Sequence, residues 1–199
     1  MTTLRIDCAF DGGSIDVVSA NAKEAVLRIA PDAPDHGAPY SQWFYFRAVN
    51  VPASGATFKI VNAGETTYPG GWENYNVCYS VDRKTWKRCK SSFADGILEW
   101  KWAASHHSGG VYFSYFPPYS HERHLDFCAS CGVLGEGRCA LDALPGSTID
   151  GRLIDMLRIG AQNPPPLLSE APALPSDRSK LVFWVLGRQH PGETQVSTS

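Results

Sequence analysis

The segment Trp43-Phe44-Tyr45-Phe46-Arg47-Ala48-Val49 decides the fold class of this 199-residue chain. Its aromatic side chains occupy consecutive positions, and consecutive residues of a β-strand point to opposite faces of a sheet. Aromatic residues on both faces favour a strand that is covered on both sides, because burying their large apolar surface is favourable. The segment therefore predicts a strand that lies centrally in a sheet.

The same alternation extends from about residue 4 to residue 116. Clear examples are Thr57-Phe58-Lys59-Ile60-Val61, Leu98-Glu99-Trp100-Lys101-Trp102 and Val111-Tyr112-Phe113-Ser114-Tyr115-Phe116. Strands that recur every ~12–15 residues, with turns and no helical periodicity between them, are typical of an antiparallel sandwich. We therefore expect a mainly β fold in which residues 1–120 form an antiparallel β-sandwich, with the aromatic residues in its core and on its sheet surfaces.

Composition narrows the class of protein. Hydrophobic residues make up 43% and charged residues 19% of the chain, which is ordinary globular usage and argues against wholesale disorder. The 18 Lys and Arg nearly balance the 20 Asp and Glu, giving a net charge of −2. That balance argues against a protein whose main task is to bind nucleic acid or an anionic membrane. No apolar run approaches the ~20 residues that a membrane span requires.

The cellular compartment is predicted from the start of the chain and from its cysteines. Met1-Thr2-Thr3-Leu4-Arg5-Ile6-Asp7-Cys8 is polar and lacks the apolar core of a secretory signal. The chain has six cysteines, but a domain of this length does not need a disulfide framework. We therefore expect a cytoplasmic protein with reduced thiols. The sequence leaves its oligomeric state open.

The character of the sequence changes in its second part. Residues 119–142 show no firm period, and residues 147–160 read as a hairpin that turns at Asp150-Gly151, a favoured two-residue turn. Leu181-Val182-Phe183-Trp184-Val185-Leu186 is a continuous apolar run, typical of a parallel strand buried on both faces. We therefore expect residues 121–199 to form a connection and the first, incomplete fragment of an α/β domain.

The motif His190-Pro191-Gly192-Glu193 follows that predicted buried strand directly. An imidazole nitrogen and a carboxylate oxygen are good zinc ligands, and Pro-Gly supplies a turn that lets the two side chains converge on one ion. Strand ends in α/β sheets are also where binding sites usually lie. The pattern is short and common, so by itself it also fits a pair of residues that simply caps a turn.

Several segments in order along the chain resemble the cytosolic carboxypeptidase family of zinc metallocarboxypeptidases. The segments that carry the resemblance are Gln42-Trp43-Phe44-Tyr45-Phe46-Arg47, Pro117-Pro118-Tyr119-Ser120-His121-Glu122-Arg123-His124, Thr148-Ile149-Asp150-Gly151-Arg152 with Leu157-Arg158-Ile159-Gly160, and Gly187-Arg188-Gln189-His190-Pro191-Gly192-Glu193-Thr194. The resemblance is strongest to the bacterial members. It implies an N-terminal β-sandwich module followed by the opening of a zinc carboxypeptidase domain.

The resemblance also implies a site and an activity. His190 and Glu193 would be two of three protein ligands of a catalytic zinc ion (Zn2+), and the substrates would be the C-terminal tails of peptides or proteins, with glutamate removal as one option. In the family the third ligand (a His), the general-base Glu and the basic residues that bind the substrate carboxylate lie far downstream. This sequence ends at Ser199. We therefore expect a C-terminally truncated member that is inactive as this chain.

A competing interpretation rests on His124, Cys128, Cys131 and Cys139. Their spacing, His-x3-Cys-x2-Cys-x7-Cys, can supply four ligands to a structural zinc knuckle. Reduced cysteines also pack as small apolar side chains, without any metal. The knuckle favours a different class of function, a non-catalytic β-sandwich interaction module stabilised by zinc.

Overall fold

The computed structural model describes residues 3–32, 40–103, 110–135 and 137–160. The chain divides into two compact units, Met1–Pro118 and Tyr119–Ser199. The described residues contain eleven β-strands, one α-helix and two short 3-10 helices. The prediction of a mainly β fold with an N-terminal sandwich is thus confirmed. The assignment of residues 121–199 to a fragment of a catalytic domain stays a prediction.

The described part of the first unit contains nine strands. They are β1 (Arg5–Asp7), β2 (Asp16–Ala20), β3 (Glu24–Arg28), β4 (Tyr45–Val49), β5 (Ala56–Ile60), β6 (Asn76–Ser80), β7 (Lys87–Ala94), β8 (Ile97–Trp102) and β9 (Val111–Ser114). The 3-10 helices, Ala63–Glu65 and Pro69–Trp72, lie between β5 and β6. The nine strands are hydrogen-bonded in the order β1-β4-β9-β6-β7-β8-β5-β3-β2.

Strand β7 joins the two layers of the sandwich. Its first half pairs with β6, where Val77 lies opposite Cys89, and its second half pairs with β8, where Ser91 lies opposite Trp100. One layer therefore contains β1, β4, β9, β6 and the start of β7, and the other contains the end of β7 with β8, β5, β3 and β2. The β3–β5 pair is parallel, which the expectation of a purely antiparallel sandwich did not include.

An aromatic cluster fills the space between the layers. Phe46 from β4 packs on Phe113 from β9, with ring centroids 5.5 Å apart. Phe58 from β5 stacks on Trp100 from β8, also at 5.5 Å. Fully burying one such side chain stabilises the fold by about 1.5–3 kcal/mol, and each aromatic pair adds about 0.5–1.5 kcal/mol. The alternating segments of the sequence are therefore the strands whose inward-facing side chains form this core.

The environment of β4 confirms the prediction made from its sequence. Phe44, Phe46 and Ala48 lie fully buried in the core. Tyr45 points to the other face and is only 2% exposed, because Phe10 packs edge-on against it at 4.9 Å. The strand is interior to the sheet, between β1 and β9.

The second unit consists, in its described part, of a helix and a hairpin. Helix α1 spans His121–Leu134, and strands β10 (Cys139–Ser147) and β11 (Leu153–Ile159) form a two-stranded antiparallel sheet. The Ser120 side chain caps the helix by accepting a hydrogen bond from the backbone N–H of Arg123, which satisfies one of the free donors of the first turn. The described part of the chain contains no helix long and apolar enough to cross a bilayer.

The second unit differs from its sequence-based description in two places. Residues 119–142 show no firm period in the sequence, yet they contain α1, whose exposed Leu125 and Phe127 break the apolar stripe that would have marked it. The hairpin turns where predicted, but its first strand begins at Cys139, well before Ser147. Its turn is also longer, because Gly151 adopts a φ of 74° and donates a hydrogen bond to the Thr148 carbonyl, as in a three-residue loop.

Candidate metal centre

The predicted zinc ligands His190 and Glu193 lie outside the described residues, as does the apolar run 181–186. Their assignment therefore stays a prediction from the sequence. The His124, Cys128, Cys131 and Cys139 set lies within the described part of the second unit. Its geometry can be followed residue by residue.

Helix α1 places three of these four side chains along one side. His124, Cys128 and Cys131 are separated by four and then three residues, and side chains at such spacings lie on the same helix face. Cys139 is the first residue of β10. The structure separates the set into two pairs, because His124 and Cys128 meet a residue of β11 whereas Cys131 meets Cys139.

The first pair converges with Asp155 to form what we call the His124–Cys128–Asp155 cluster. His124 Nε2 lies 2.8 Å from Asp155 Oδ2 and 3.5 Å from Cys128 Sγ. One ligand atom from each of the three residues lies within 4.8 Å of the other two. Imidazole nitrogen, thiolate sulfur and carboxylate oxygen are the three kinds of atom that bind zinc in proteins.

The cluster is largely shielded from solvent. Cys128 is 3% exposed, and the side chains of Asp155 and His124 are 13% and 32% exposed. Burial raises the pKa of the Cys128 thiol, and the negative charge of Asp155 raises that pKa further. The thiol thus keeps its proton at neutral pH unless a cation offsets the neighbouring carboxylate.

The contacts of this cluster converge on one atom of His124. Both contacts of His124 involve the same atom, Nε2. A ring nitrogen either carries a proton and donates it or is deprotonated and accepts one. Nε2 can therefore donate to Asp155 or accept from the Cys128 thiol, but it cannot do both at once.

The second pair, Cys131 and Cys139, forms a separate thiol contact. The two side chains are neighbours: burial raises the pKa of Cys139, and the nearby Cys131 raises that pKa further. The approach depends on Gly135, because a Cβ at that position would lie 2.5 Å from the Cys139 Cβ. All six cysteines of the chain carry free thiols.

Asp155 is the residue of this site that the sequence analysis missed. It lies 31 residues after His124, on a strand opposite Ala143, so no local spacing connects the two. The one signal was its position in Leu153-Ile154-Asp155-Met156-Leu157. A carboxylate in the middle of an apolar strand needs a partner when it is buried.

The first unit matches a known protein family. Residues 6–116 match the family model described as the cytosolic carboxypeptidase N-terminal domain. This chain belongs to that family. The resemblance noted from the sequence is thereby confirmed for the cytosolic carboxypeptidase N-terminal domain, which corresponds to the sandwich described above.

Relatives of this cytosolic carboxypeptidase family member extend the match beyond the sandwich. The chain is 32% identical over 194 residues to an uncharacterised protein of Zymomonas mobilis, covering 98% of this chain and 44% of that protein. A crystal structure of a metallo-carboxypeptidase from Burkholderia cenocepacia superposes with a TM-score of 0.71 at 32% identity, covering 80% of this chain and 40% of that one. A metallo-carboxypeptidase from Pseudomonas aeruginosa in complex with (2-guanidinoethylmercapto)succinic acid superposes with a TM-score of 0.67 at 32% identity. The match covers 78% of this chain and 40% of that one. The chain thus spans less than half the length of each of these relatives.

Proposed function

We propose that this chain is part of a zinc-dependent metallocarboxypeptidase. The enzyme would remove residues from the C-terminal tails of peptides or proteins in the cytoplasm. The observation that carries the proposal is the similarity to metallo-carboxypeptidase structures in both sequence and fold, 32% identity at a TM-score of 0.71. The family match over residues 6–116 supports the same proposal from the sandwich alone. Removal of C-terminal glutamate is the substrate preference we would test first.

In this proposal His190 and Glu193 hold the zinc ion. Their donor atoms, one imidazole nitrogen and one carboxylate oxygen, suit zinc. A bound zinc ion lowers the pKa of a water ligand toward about 7 and polarises the scissile carbonyl. The role of the two side chains is to fix the ion at the end of the predicted strand 181–186.

The proposal further predicts what these 199 residues do alone. By the family resemblance, a third ligand, a general-base Glu and basic residues for the substrate carboxylate are also required. No histidine follows His190 in this sequence. We therefore propose that the 199-residue chain binds zinc at His190 and Glu193 only weakly and does not turn over substrate without those additional groups.

The test compares zinc stoichiometry and peptide hydrolysis in the 199-residue chain and its variants. His190→Ala and Glu193→Gln should each remove zinc from this motif, whereas Thr194→Ala, which alters a neighbouring side chain without a ligand role, should leave it bound. A chimera that continues from Ser199 into the remainder of the Burkholderia cenocepacia relative should cleave peptides with a C-terminal glutamate. That activity should disappear with His190→Ala. Cleavage that survives His190→Ala would contradict the proposed role.

A second candidate function is a non-catalytic interaction module. It is favoured by apolar side chains on the surface of the second unit, among them Val133, Leu153 and Ile159. Contiguous patches of such residues are typical of surfaces that meet a partner, and these side chains are candidates for one. Zinc binding that requires Cys131 and Cys139 as well as Cys128, and that is never lost with His190→Ala, would favour this second function.

A further inference from the structure

The second unit brings three metal-binding side chains together from two separate elements. His124 and Cys128 lie four residues apart on α1, so they project from one helix face. Asp155 approaches them from β11, at the register position opposite Ala143 of β10. This convergence joins the helix to the hairpin at a point where Cys128 is almost completely buried.

We propose that the His124–Cys128–Asp155 cluster is a zinc site, separate from the predicted His190 and Glu193 motif and independent of carboxypeptidase activity. The mixed donor set selects the class of metal. Calcium and magnesium prefer oxygen ligands throughout, so a thiolate argues against them. Zinc accepts nitrogen, sulfur and oxygen together.

The distances in the cluster are close to those that zinc requires. Bond lengths of about 2.0–2.3 Å around a tetrahedral ion place neighbouring ligand atoms roughly 3.3–3.7 Å apart. The Cys128 Sγ to His124 Nε2 distance is already 3.5 Å. The His124 Nε2 to Asp155 Oδ2 distance of 2.8 Å must open slightly, and no ligand-atom pair is more than 4.8 Å apart.

A zinc ion also suits the convergence of the cluster on one nitrogen atom of His124. Nε2 of His124 contacts both Asp155 and Cys128. It offers them either one proton or one lone pair. With zinc present, the nitrogen, the thiolate and the carboxylate each direct a lone pair at the ion. The positive charge then offsets the two negative ligands within a site that is mostly closed to water.

The exposure of His124 indicates what fills the fourth coordination position. Its side chain is 32% exposed, so solvent reaches the cluster on that side and a water molecule completes the tetrahedron. Cys131 is not part of the proposed ligand set, because the three residues whose ligand atoms lie within 4.8 Å of one another are His124, Cys128 and Asp155. The function of the ion is to fasten α1 to β11, and zinc that binds only the folded state stabilises that state.

The test uses the full 199-residue chain carrying His190→Ala and Glu193→Gln, so that the proposed peptidase motif cannot bind metal. This chain should still bind one equivalent of zinc. Cys128→Ser and Asp155→Asn should each weaken zinc binding by about 100-fold or more, since loss of outer-shell partners alone costs about 10–100-fold. Cys131→Ser and Cys139→Ser are the matched controls and should bind zinc as tightly as the parent.

Cobalt(II) in place of zinc provides a readout that does not depend on affinity. The parent chain should show a thiolate-to-cobalt charge-transfer band, which Cys128→Ser removes and the two cysteine controls retain. At saturating cobalt, Asp155→Asn should keep that band and change only the visible ligand-field spectrum, which shows that the variant is folded around the site.

Three results would overturn the proposal. The first is a chain with His190→Ala and Glu193→Gln that binds no zinc. The second is zinc binding that Cys128→Ser leaves unchanged. The third is zinc binding that requires Cys131 or Cys139, since that assigns the metal to the four-residue knuckle instead. Failure of the carboxypeptidase proposal affects none of these readouts.

Discussion

The sandwich and the helix–hairpin unit differ most in how they bury apolar side chains. In the sandwich, the large residues of β4, β5, β8 and β9 pack into one core in which Phe46 and Phe58 have no exposed surface. Among the described residues of the second unit, Cys128 alone is buried, while Ile159 is 81% exposed. Hydrophobic burial between its two layers thus stabilises the sandwich. Under our proposal, zinc at the His124–Cys128–Asp155 cluster adds stability where the helix meets the hairpin.

The largest expected effect contrasts one substitution made in both units. Phe46→Ala empties space in the sandwich core and should lower the free energy of unfolding by about 3–5 kcal/mol. Phe127→Ala, in the exposed part of α1, should lower it by less than about 1 kcal/mol. Urea unfolding measures both, followed by tryptophan fluorescence for the sandwich and by far-ultraviolet circular dichroism for α1. Similar losses at the two positions would contradict the difference in packing.

The next largest effect concerns a buried polar residue of the sandwich. The Asn62 side chain accepts a hydrogen bond from Ile29 N at 2.9 Å and donates one to Ile29 O at 3.0 Å. Asn62→Ala leaves both backbone groups unpaired and should cost about 2–4 kcal/mol of unfolding free energy. Asn76→Ala at an exposed strand position is the control, with an expected change within about 0.5 kcal/mol. An equal effect of the two in chemical denaturation would refute the role of Asn62.

Substitution of two glycines of the second unit by alanine should change the free energy of unfolding in opposite directions. Gly135→Ala introduces a Cβ 2.5 Å from the Cys139 Cβ and 2.7 Å from the Cys131 carbonyl oxygen, and should cost about 1–3 kcal/mol. Gly132→Ala has no neighbouring atom within 4 Å and should stabilise α1 by about 0.5–1 kcal/mol. Helix content by circular dichroism during thermal unfolding distinguishes the two. If both variants melt at the same temperature, the close approach of Gly135 to Cys139 is not structurally important.

The smallest effect is a pH dependence in the turn after β6. The backbone N–H groups of Thr85 and Lys84 donate to the Asp82 carboxylate and lower its pKa to about 2, from a usual 3.8. Since the folded-state pKa is the lower one, this stabilisation is complete above about pH 4 and is lost as the pH falls toward 2. Asp82→Asn should remove that part of the acid sensitivity. Lys84→Ala keeps the backbone donor and should preserve the acid sensitivity. Urea midpoints measured across this pH range distinguish the two variants.

The sequence predicted the sandwich well because alternation reports directly on a strand with one or two covered faces. Phe44, Phe46 and Trp100 were all expected in sheets, and all are buried in the core. The parallel pairing of β3 with β5 was not predicted, because a local pattern does not specify the neighbour of a strand.

The second unit was harder to predict for physical reasons. Helix α1 has no continuous apolar face, so its period was hidden. The spacing of His124 and Cys128 predicted them as candidate metal ligands, and that stays a prediction. Asp155 was not predicted, because it joins them only through tertiary structure. The assignment of His190 and Glu193 as zinc ligands stays a prediction from the sequence.

Hydrogen–deuterium exchange of the 199-residue chain with and without zinc tests the contrast between the two units most directly. We expect zinc to slow exchange in α1 and β11, and Cys128→Ser to abolish that protection. Exchange in the sandwich strands β4, β8 and β9 should not change, since their core is complete without metal. Zinc-independent exchange in α1, or protection that appears in the sandwich instead, would contradict the account.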